Sequence, residues 1–441
     1  MGIIIGKKWE LINTGITIGE NMKKYLPRLI ETVIEDQMRA AGCIVIEGPK
    51  WCGKSTTAER FSKTVVKLRN PNVFKKYEIL ASLDGEKLLE GERPVLFDEW
   101  QKIPSVWDFI RDDLDTNGGR GQYLLTGSAK PKNDSKRHTG TGRFAKIRMR
   151  PMSLWESGHS SGQISLKGLF DQKNSMVGDS DLNFETIADL ICRGGWPESV
   201  GEEDRVALLL ARNYYKLLTD ADITDVDEIK RNPERAKRIM RAYARNISSL
   251  ATEKTIIDDV TSNDISMDTK TFGSYTDAFR KLFAIEDVPA WSPKLRSKTT
   301  MRTSDKRQFV DPSIAAAALG ANPKDITDDV ETMGLLFESL CTRDLRVYAD
   351  KLGGNVYYYR DKNGLEADAI VHLDNGCWGA IEIKLGGNEI DGAAENLIKL
   401  KNKIDTDGMR EPRFLMILTG LNYAYRRPDG VLVVPIGCLR D

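Results

Sequence analysis

Gly48-Pro49-Lys50-Trp51-Cys52-Gly53-Lys54-Ser55 narrows the possible folds of this 441-residue chain more than any other stretch. It satisfies G-x-x-x-x-G-K-[ST]. It sits between an apolar run, Cys43-Ile44-Val45-Ile46, and a helical pattern from Lys54 to Val66. Strand, glycine turn and helix in that order aim backbone N–H groups and a helix dipole at one point, which suits phosphate oxygens. The stretch predicts a cradle built by Gly48, Pro49, Lys50, Trp51, Cys52, Gly53, Lys54, Ser55 and Thr56. In it Lys54 bridges the β- and γ-phosphates and Ser55 holds a magnesium ion.

A second apolar strand, Pro94-Val95-Leu96-Phe97-Asp98, ends in acid. Asp98 there coordinates magnesium through water. Glu99 beside it polarises an attacking water, which favours hydrolysis over transfer to another substrate. A third strand runs from Gln122 to Thr126, and Thr126 and Ser128 after it suit a polar sensor of the γ-phosphate. Arg143, in Gly140-Thr141-Gly142-Arg143, is placed to stabilise transition-state charge in its own or a neighbouring subunit. Asn402-Lys403-Ile404-Asp405 spells a guanine-reading motif, but lies far from the cradle at the end of a helical stretch. ATP is therefore expected rather than GTP.

Lysine plus arginine and aspartate plus glutamate each number 65, so net charge is zero. That excludes a globally basic nucleic-acid coat and leaves local patches open. No stretch approaches the roughly 20 apolar residues of a membrane span. The order of charge and apolarity in Met1 to Lys8 is the reverse of a secretory leader. The six cysteines (43, 52, 192, 341, 377, 438) and three histidines (138, 159, 372) are dispersed, so reduced thiols in a cytoplasmic protein and no zinc site are expected.

Alternating strands and helices imply an α/β fold with a parallel sheet. A helix is expected over 21–41 and a loop-like region over 158–183. Residues 130–150 are basic, with Lys130, Lys132, Lys136, Arg137, Arg143, Lys146, Arg148 and Arg150. Helical patterns follow at 184–193, 204–219, 233–248, 252–261 and 268–283, and then two short segments, 283–288 and 307–310, suit a wing. A basic helix (Lys230, Arg231, Arg235, Lys237, Arg238, Arg241, Arg245) and a basic wing loop (Lys294, Arg296, Lys298, Arg302, Lys306, Arg307) would contact nucleic-acid backbone.

The last part begins with a helix, Met333 to Tyr348, followed by strands near 355–360, 365–371, 378–385, 413–418 and 431–435 and a helix at 391–403. Glu366 and Asp368 share one strand face, as do Glu382 and Lys384. If those strands pair, Asp368 and Glu382 would hold a hard divalent cation, Lys384 would orient water, and Glu338 would complete the acids. The alternative is a half-exposed hairpin holding Lys384 by cross-strand ion pairs.

These residues resemble the prokaryotic AAA-family ATPases that carry a C-terminal domain of unknown function with a restriction-endonuclease-like, PD-(D/E)xK, fold. The matching residues are the cradle, Leu96-Phe97-Asp98-Glu99-Trp100-Gln101, Leu125-Thr126-Gly127-Ser128, Thr141-Gly142-Arg143, Arg148 to Leu154, Arg193-Gly194-Gly195-Trp196-Pro197-Glu198, Gly334 to Glu338, Arg360, Glu366-x-Asp368 and Glu382-x-Lys384. The resemblance implies an AAA-type P-loop core with lid (1–205), a helical, winged-helix-like middle (206–325) and a nuclease-like α/β end (326–441). The expected function is magnesium-dependent ATP hydrolysis coupled to DNA in a homo-oligomer, with no membrane association. The alternatives are an ATP-gated protein-interaction switch and an ATP-regulated nuclease with a second divalent metal.

Overall fold

The computed structural model describes residues 25–127, 140–173, 177–227, 229–262, 266–292, 304–404 and 409–441. Its first part runs α1 (Ile30–Ala40), β1 (Cys43–Glu47), α2 (Lys54–Glu59), β2 (Thr64–Lys67), α3 (Pro71–Leu83), α4 (Gly85–Leu88), β3 (Val95–Asp98), α5 (Val106–Thr116), β4 (Tyr123–Gly127) and β5 (Phe144–Arg148). The five strands form one parallel sheet in the order β2-β3-β4-β1-β5. Strands buried on both faces need apolar residues at every position. Accordingly Val45, Phe97 and Leu125 pack on one face with Trp107 and Ile110 of α5. Ile44, Ile46, Leu96 and Leu124 pack on the other with Ile34 of α1 and Ala58 of α2.

Two expectations are corrected here. The helix expected over 21–41 starts only at Ile30, and residues 21–24 lie outside the described residues. Pro27 biases Leu26 towards extended backbone, and the Glu31 carboxylate accepts from Arg28 N at 2.7 Å to open the helix. The helix expected to reach Val66 stops at Glu59. Thr64-Val65-Val66 is β-branched and pairs with β3 instead, burying Val66.

The next part was expected to be loop-like over 158–183. It contains β6 (Ile164–Ser165), α6 (Leu166–Phe170) and β7 (Gly178–Asp179), with Ile164, Leu166 and Phe170 buried. Their partners are remote: β6 pairs with Leu439–Arg440 and β7 with Tyr423–Arg426. Local sequence pattern does not register contacts of that range.

Helices α7 (Phe184–Arg193) and α8 (Asp204–Leu217) follow, the latter passing through a π turn into α9 (Ile223–Asp225). Then come α10 (Pro233–Arg245), α11 (Glu253–Thr261) and α12 (Thr269–Lys281). Two segments pair antiparallel through the bridges Ile285–Phe309 and Val288–Lys306, and α13 (Pro312–Leu319) and α14 (Pro323–Asp328) complete this part.

The last part is α15 (Val330–Lys351), β8 (Gly354–Arg360), β9 (Glu366–Leu373), β10 (Trp378–Lys384), α16 (Ile390–Lys403), β11 (Leu415–Thr419), β12 (Tyr423–Arg426), β13 (Leu432–Pro435) and β14 (Leu439–Arg440). Its mixed sheet has the order β7-β12-β13-β11-β10-β9-β8. Residues from Leu154 to Leu439 share one apolar core. The helix α15 lies within that core and is lined with buried Arg343, Asp344 and Arg346. Arg343 pairs with Asp311 at 3.0 Å and Asp344 at 2.7 Å. Arg346 donates to the carbonyls of Glu286 and Asp287. Arg150, just past β5, pairs with Glu286 at 2.7 Å and also with Asp350 of α15. One helix thus ties all three parts together.

The segment after Leu154 also carries a titrating group. His159 lies between Ser157 Oγ (3.2 Å from Nδ1) and Arg193 (3.2 Å from Nε2). Burial and the Arg193 charge hold it down to about 4. With the folded value depressed, the unfolded chain takes up the proton first as pH falls. This contribution to stability is therefore complete above about pH 6.5 and is lost as pH falls towards 4. Urea unfolding of His159→Gln should show a shallower loss of stability across that window than the wild type. Parallel curves would refute the assignment.

Candidate nucleotide site

All strands of the first sheet run the same way, so their carboxyl ends share one edge, where such sheets bind ligands. The P-loop follows β1 there, Asp98 ends β3, and Thr126 is near the end of β4. Two glycines make the turn possible. A Cβ on Gly48 would lie 2.1 Å from Met149 O, and Gly53 caps α2 at φ +100°, a left-handed conformation.

Lys54 is buried, its Nζ donating to the carbonyls of Gly48 (2.9 Å) and Pro49 (2.6 Å). Ser55 Oγ donates to Asp98 Oδ1 at 2.5 Å, and Thr126 Oγ1 donates to the same oxygen at 2.8 Å. The other oxygen, Asp98 Oδ2, is buried without a hydrogen bond, and Arg69 Nε stands 3.8 Å away. A buried carboxylate oxygen left without a donor is what a magnesium-bound water requires. Ser55 and Asp98 therefore fit that ion. Glu99 adopts φ +60°, an uncommon conformation for a residue with a side chain and one that clusters at functional sites. Its Oε2 accepts from Gln101 Nε2 at 2.5 Å.

Arg28 braces the loop. It donates to Cys52 O at 2.7 Å and Arg150 O at 2.8 Å, and pairs with buried Glu156 at 3.1 Å. Beside it opens a cavity of about 390 Å³ lined by Tyr25, Arg28, Thr56, Thr57, Pro197 and Glu198 among others. Sequence reasoning missed this cavity because residues 25–28 and 197–201 meet only in the fold. The Arg193-to-Glu198 motif was its one local signal.

Several predicted residues fall elsewhere. Lys50 turns outward to Asp222 at 2.6 Å, and the Trp51 ring leans towards Tyr214 at 5.9 Å, so these two face the cradle with backbone alone. Pro49 has no N–H to offer and instead accepts from Lys54. Arg143 is corrected most sharply. It precedes β5, and its carbonyl accepts from Gly42 and Cys43 at the start of β1. That is the end of the sheet opposite the P-loop, ~15 Å away by strand rise. Its guanidinium pairs with Asp115, so it reaches no phosphate on its own chain. Among the described residues it is Arg69, which the sequence reading passed over, that stands beside Asp98. Ser128, Lys130, Lys132, Lys136 and Arg137 lie outside the described residues, as do Lys294, Arg296, Lys298 and Arg302.

Part of the basic helix is neutralised in place. Buried Arg231 pairs with Asp227 at 2.6 Å, Lys237 with Asp220 and Glu234 at 2.9 Å each, and Arg245 with Asp259 at 2.6 Å. In the guanine-like motif, Lys403 is paired with Asp361 at the end of α16, and Asp405 lies outside the described residues.

The C-terminal acids do converge. β9 and β10 pair antiparallel, and Glu338, Asp368, Glu382 and Lys384 meet where α15 crosses them. Lys384 lies 3.0 Å from Glu382 and 3.4 Å from Asp368. Glu366 stays outside, paired with Arg360 at 3.4 Å. A second ammonium, on Lys306, lies 2.7 Å from Glu338 and 3.4 Å from Asp368. Burial pushes Glu338 up to about 7, and burial together with Asp368 pushes Glu382 up to about 8. Among the described residues no three histidine, cysteine or acidic side chains are arranged to hold a metal ion. Two lysines already sit on these carboxylates, so the residues do not fit the second divalent metal of the sequence reading. No described helix is long and apolar enough to cross a membrane.

A profile described as an AAA domain matches residues 41–157, and two described as domains of unknown function, DUF8612 and DUF4143, match 184–325 and 333–439. The strand–P-loop–helix part is thus similar to AAA domains. Among solved structures, a Walker-type ATPase of Pyrococcus abyssi aligns with 14% identity and a TM-score of 0.41, over 67% of this chain and 96% of that one. The curated proteins include no match.

Proposed function

We propose that this chain binds and hydrolyses ATP with magnesium and passes the nucleotide state to a protein partner through its middle and C-terminal parts. One observation carries the first half: the Ser55–Asp98–Thr126 contacts beneath the P-loop, with one Asp98 oxygen free of donors and Glu99 next in sequence. In this reading bound phosphates take the Lys54 ammonium from the Gly48 and Pro49 carbonyls. Ser55 and Asp98 would hold magnesium, which would supply positive charge against the phosphates. Glu99 accepts the proton of the attacking water. The cavity at Tyr25 and Pro197 receives the base. Titrating a fluorescent ATP analogue tests binding, and no saturable signal would remove the reading.

Arg69 supplies the positive charge first assigned to Arg143. We expect Arg69→Ala to lower turnover by about 10²-fold, the usual cost of losing one transition-state donor, with analogue affinity little changed. Arg143→Ala should leave turnover near wild type in a dilute, dissociated sample. The reverse pattern would restore Arg143.

The partner reading rests on charge. Three of the seven cations proposed for nucleic acid, Arg231 ahead of α10 and Lys237 and Arg245 on it, are already paired with acids, and two lysines occupy the C-terminal acids. These pairings support a protein-gating switch over a DNA machine or a nuclease. DNA should leave ATP turnover unchanged; a salt-sensitive rise would return the DNA reading. The winged-helix likeness of the middle part, the nuclease-like fold of residues 326–441, self-association and a cytoplasmic setting belong to the same proposal. The shared core from Leu154 onward supports ending the ATPase part near residue 150 rather than 205.

A further inference from the structure

We propose that the acid pocket of Glu338, Asp368 and Glu382 is a cation socket whose resident cation is the Lys306 ammonium. The middle part of the chain thereby closes a nuclease-like site from within and fastens itself to the C-terminal sheet.

Position comes first. Lys306 is not a surface lysine that has folded over. Its N–H and C=O both bond Val288 at 2.9 Å, and only 9% of its side chain is exposed. Its neighbours are fixed too. Arg307 donates to Ala251 O at 2.9 Å and pairs with Asp287 at 3.3 Å, and Gln308 Nε2 donates to Ser248 Oγ at 2.8 Å. The Tyr358 hydroxyl of β8 donates to Ser304 O. The ammonium is therefore delivered by backbone pairing on one side and by β8 on the other.

Charge comes second. Lys384 lies against Asp368 and Glu382 but is not paired with Glu338, and Lys306 supplies the cation on that side. Asn396 Nδ2 covers Glu382 at 2.7 Å and Ile383 N covers Asp368 at 2.9 Å. The oxygens facing Lys306 are those of Glu338 and Asp368, on a different helix and strand. Asp368 is one of the two acids expected to hold a divalent ion, and Glu338 is the one expected to complete them; Lys384 lies against the other, Glu382.

Exclusion comes third. A hard divalent ion sits about 2.0–2.6 Å from its oxygens. The Lys306 nitrogen is already 2.7 Å from Glu338 and 3.4 Å from Asp368. The two cations cannot share that space. A metal would enter only after the Val288–Lys306 pairing opened, and that pairing belongs to the middle part.

The test counts manganese bound to the full chain without nucleotide, by electron paramagnetic resonance. Wild type should bind none at the socket. Lys306→Met, close in volume, should gain a single bound ion, and adding Asp368→Asn should abolish the gain. Wild-type binding that Asp368→Asn removes would overturn the proposal, as would a folded Lys306→Met that binds none. If Lys306→Met fails to fold, amine labelling of the wild type read by mass spectrometry decides. Lys306 should react far more slowly than exposed Lys362, with or without saturating manganese. Labelling as fast as Lys362, or labelling switched on by manganese, would sink the idea. No step of this test depends on ATP turnover, so it stands or falls apart from the ATPase reading.

Discussion

Phosphate release from ATP is expected to be lost in Lys54→Ala and in Glu99→Gln, for different reasons that binding will separate. Lys54 is buried and holds its ammonium on the loop's own carbonyls, ready for the β- and γ-oxygens. Losing it removes a charge-assisted contact that strengthens as charge moves onto the leaving oxygens. The expected cost is about 10²- to 10³-fold in turnover, with weaker binding of the fluorescent ATP analogue. Glu99→Gln keeps shape and hydrogen bonding and deletes the proton acceptor. A general base contributes about 10²- to 10⁴-fold, so turnover should fall by that factor while analogue affinity holds. Wild-type turnover in Glu99→Gln would remove Glu99 from the chemistry. Weak binding in Glu99→Gln with normal binding in Lys54→Ala would reverse the two roles.

The largest expected loss of stability is at Arg343. Its guanidinium joins Asp311 and Asp344, two carboxylates with fully buried side chains, at 3.0 and 2.7 Å. Burial pushes Asp344 upward, against the pull of Arg343. The acids also position the chain. Asp311 Oδ2 accepts from Gly195 N at 2.9 Å, and Asp344 Oδ2 accepts from Leu154 N at 2.9 Å. Removing one partner of a buried pair leaves the other charged and unpaired, at about 3–5 kcal/mol. Arg343→Met should lower the urea-unfolding free energy by that much. Arg343→Met with Asp311→Asn should lose less than the two single changes added, because the pair is coupled. A single-variant loss below ~1 kcal/mol would show that the junction is dispensable.

Some residues announced their place before the fold was known. The cradle, the acid pair Asp98-Glu99 and Thr126 were legible because each chemistry is written in consecutive residues at a strand end. A parallel sheet then puts all strand ends on one edge. The meeting of Asp368, Glu382 and Lys384 was legible in part, since strand period puts Glu382 and Lys384 on one face; Glu338 joins them from α15 only in the fold, and Glu366, on the face of Asp368, stays outside.

Other residues had no local signal. Arg143 reads like a catalytic arginine by motif, yet strand direction sends it to the far end of the sheet. Arg69 follows an unremarkable edge strand, and pairing with β3 brings it to Asp98. Part of the basic stripe reads as phosphate-binding until Asp227, Asp220 and Asp259 are packed against Arg231, Lys237 and Arg245.

The sequence alone thus determined the strand–P-loop–helix unit and placed Asp98 and Thr126 at strand ends beside it, while β2, α3 and α4 emerged only in the fold. Tertiary structure alone decided the cavity between residues 25–28 and 197–201, that Arg69 rather than Arg143 stands beside Asp98, and that Lys306 lies against the C-terminal acids. The reason lies in range. A motif specifies chemistry within a few residues, whereas a buried charge takes its meaning from partners that arrive from elsewhere in the chain. Lys306 is 32 residues from Glu338 and 62 from Asp368, distances over which no sequence spacing predicts a contact.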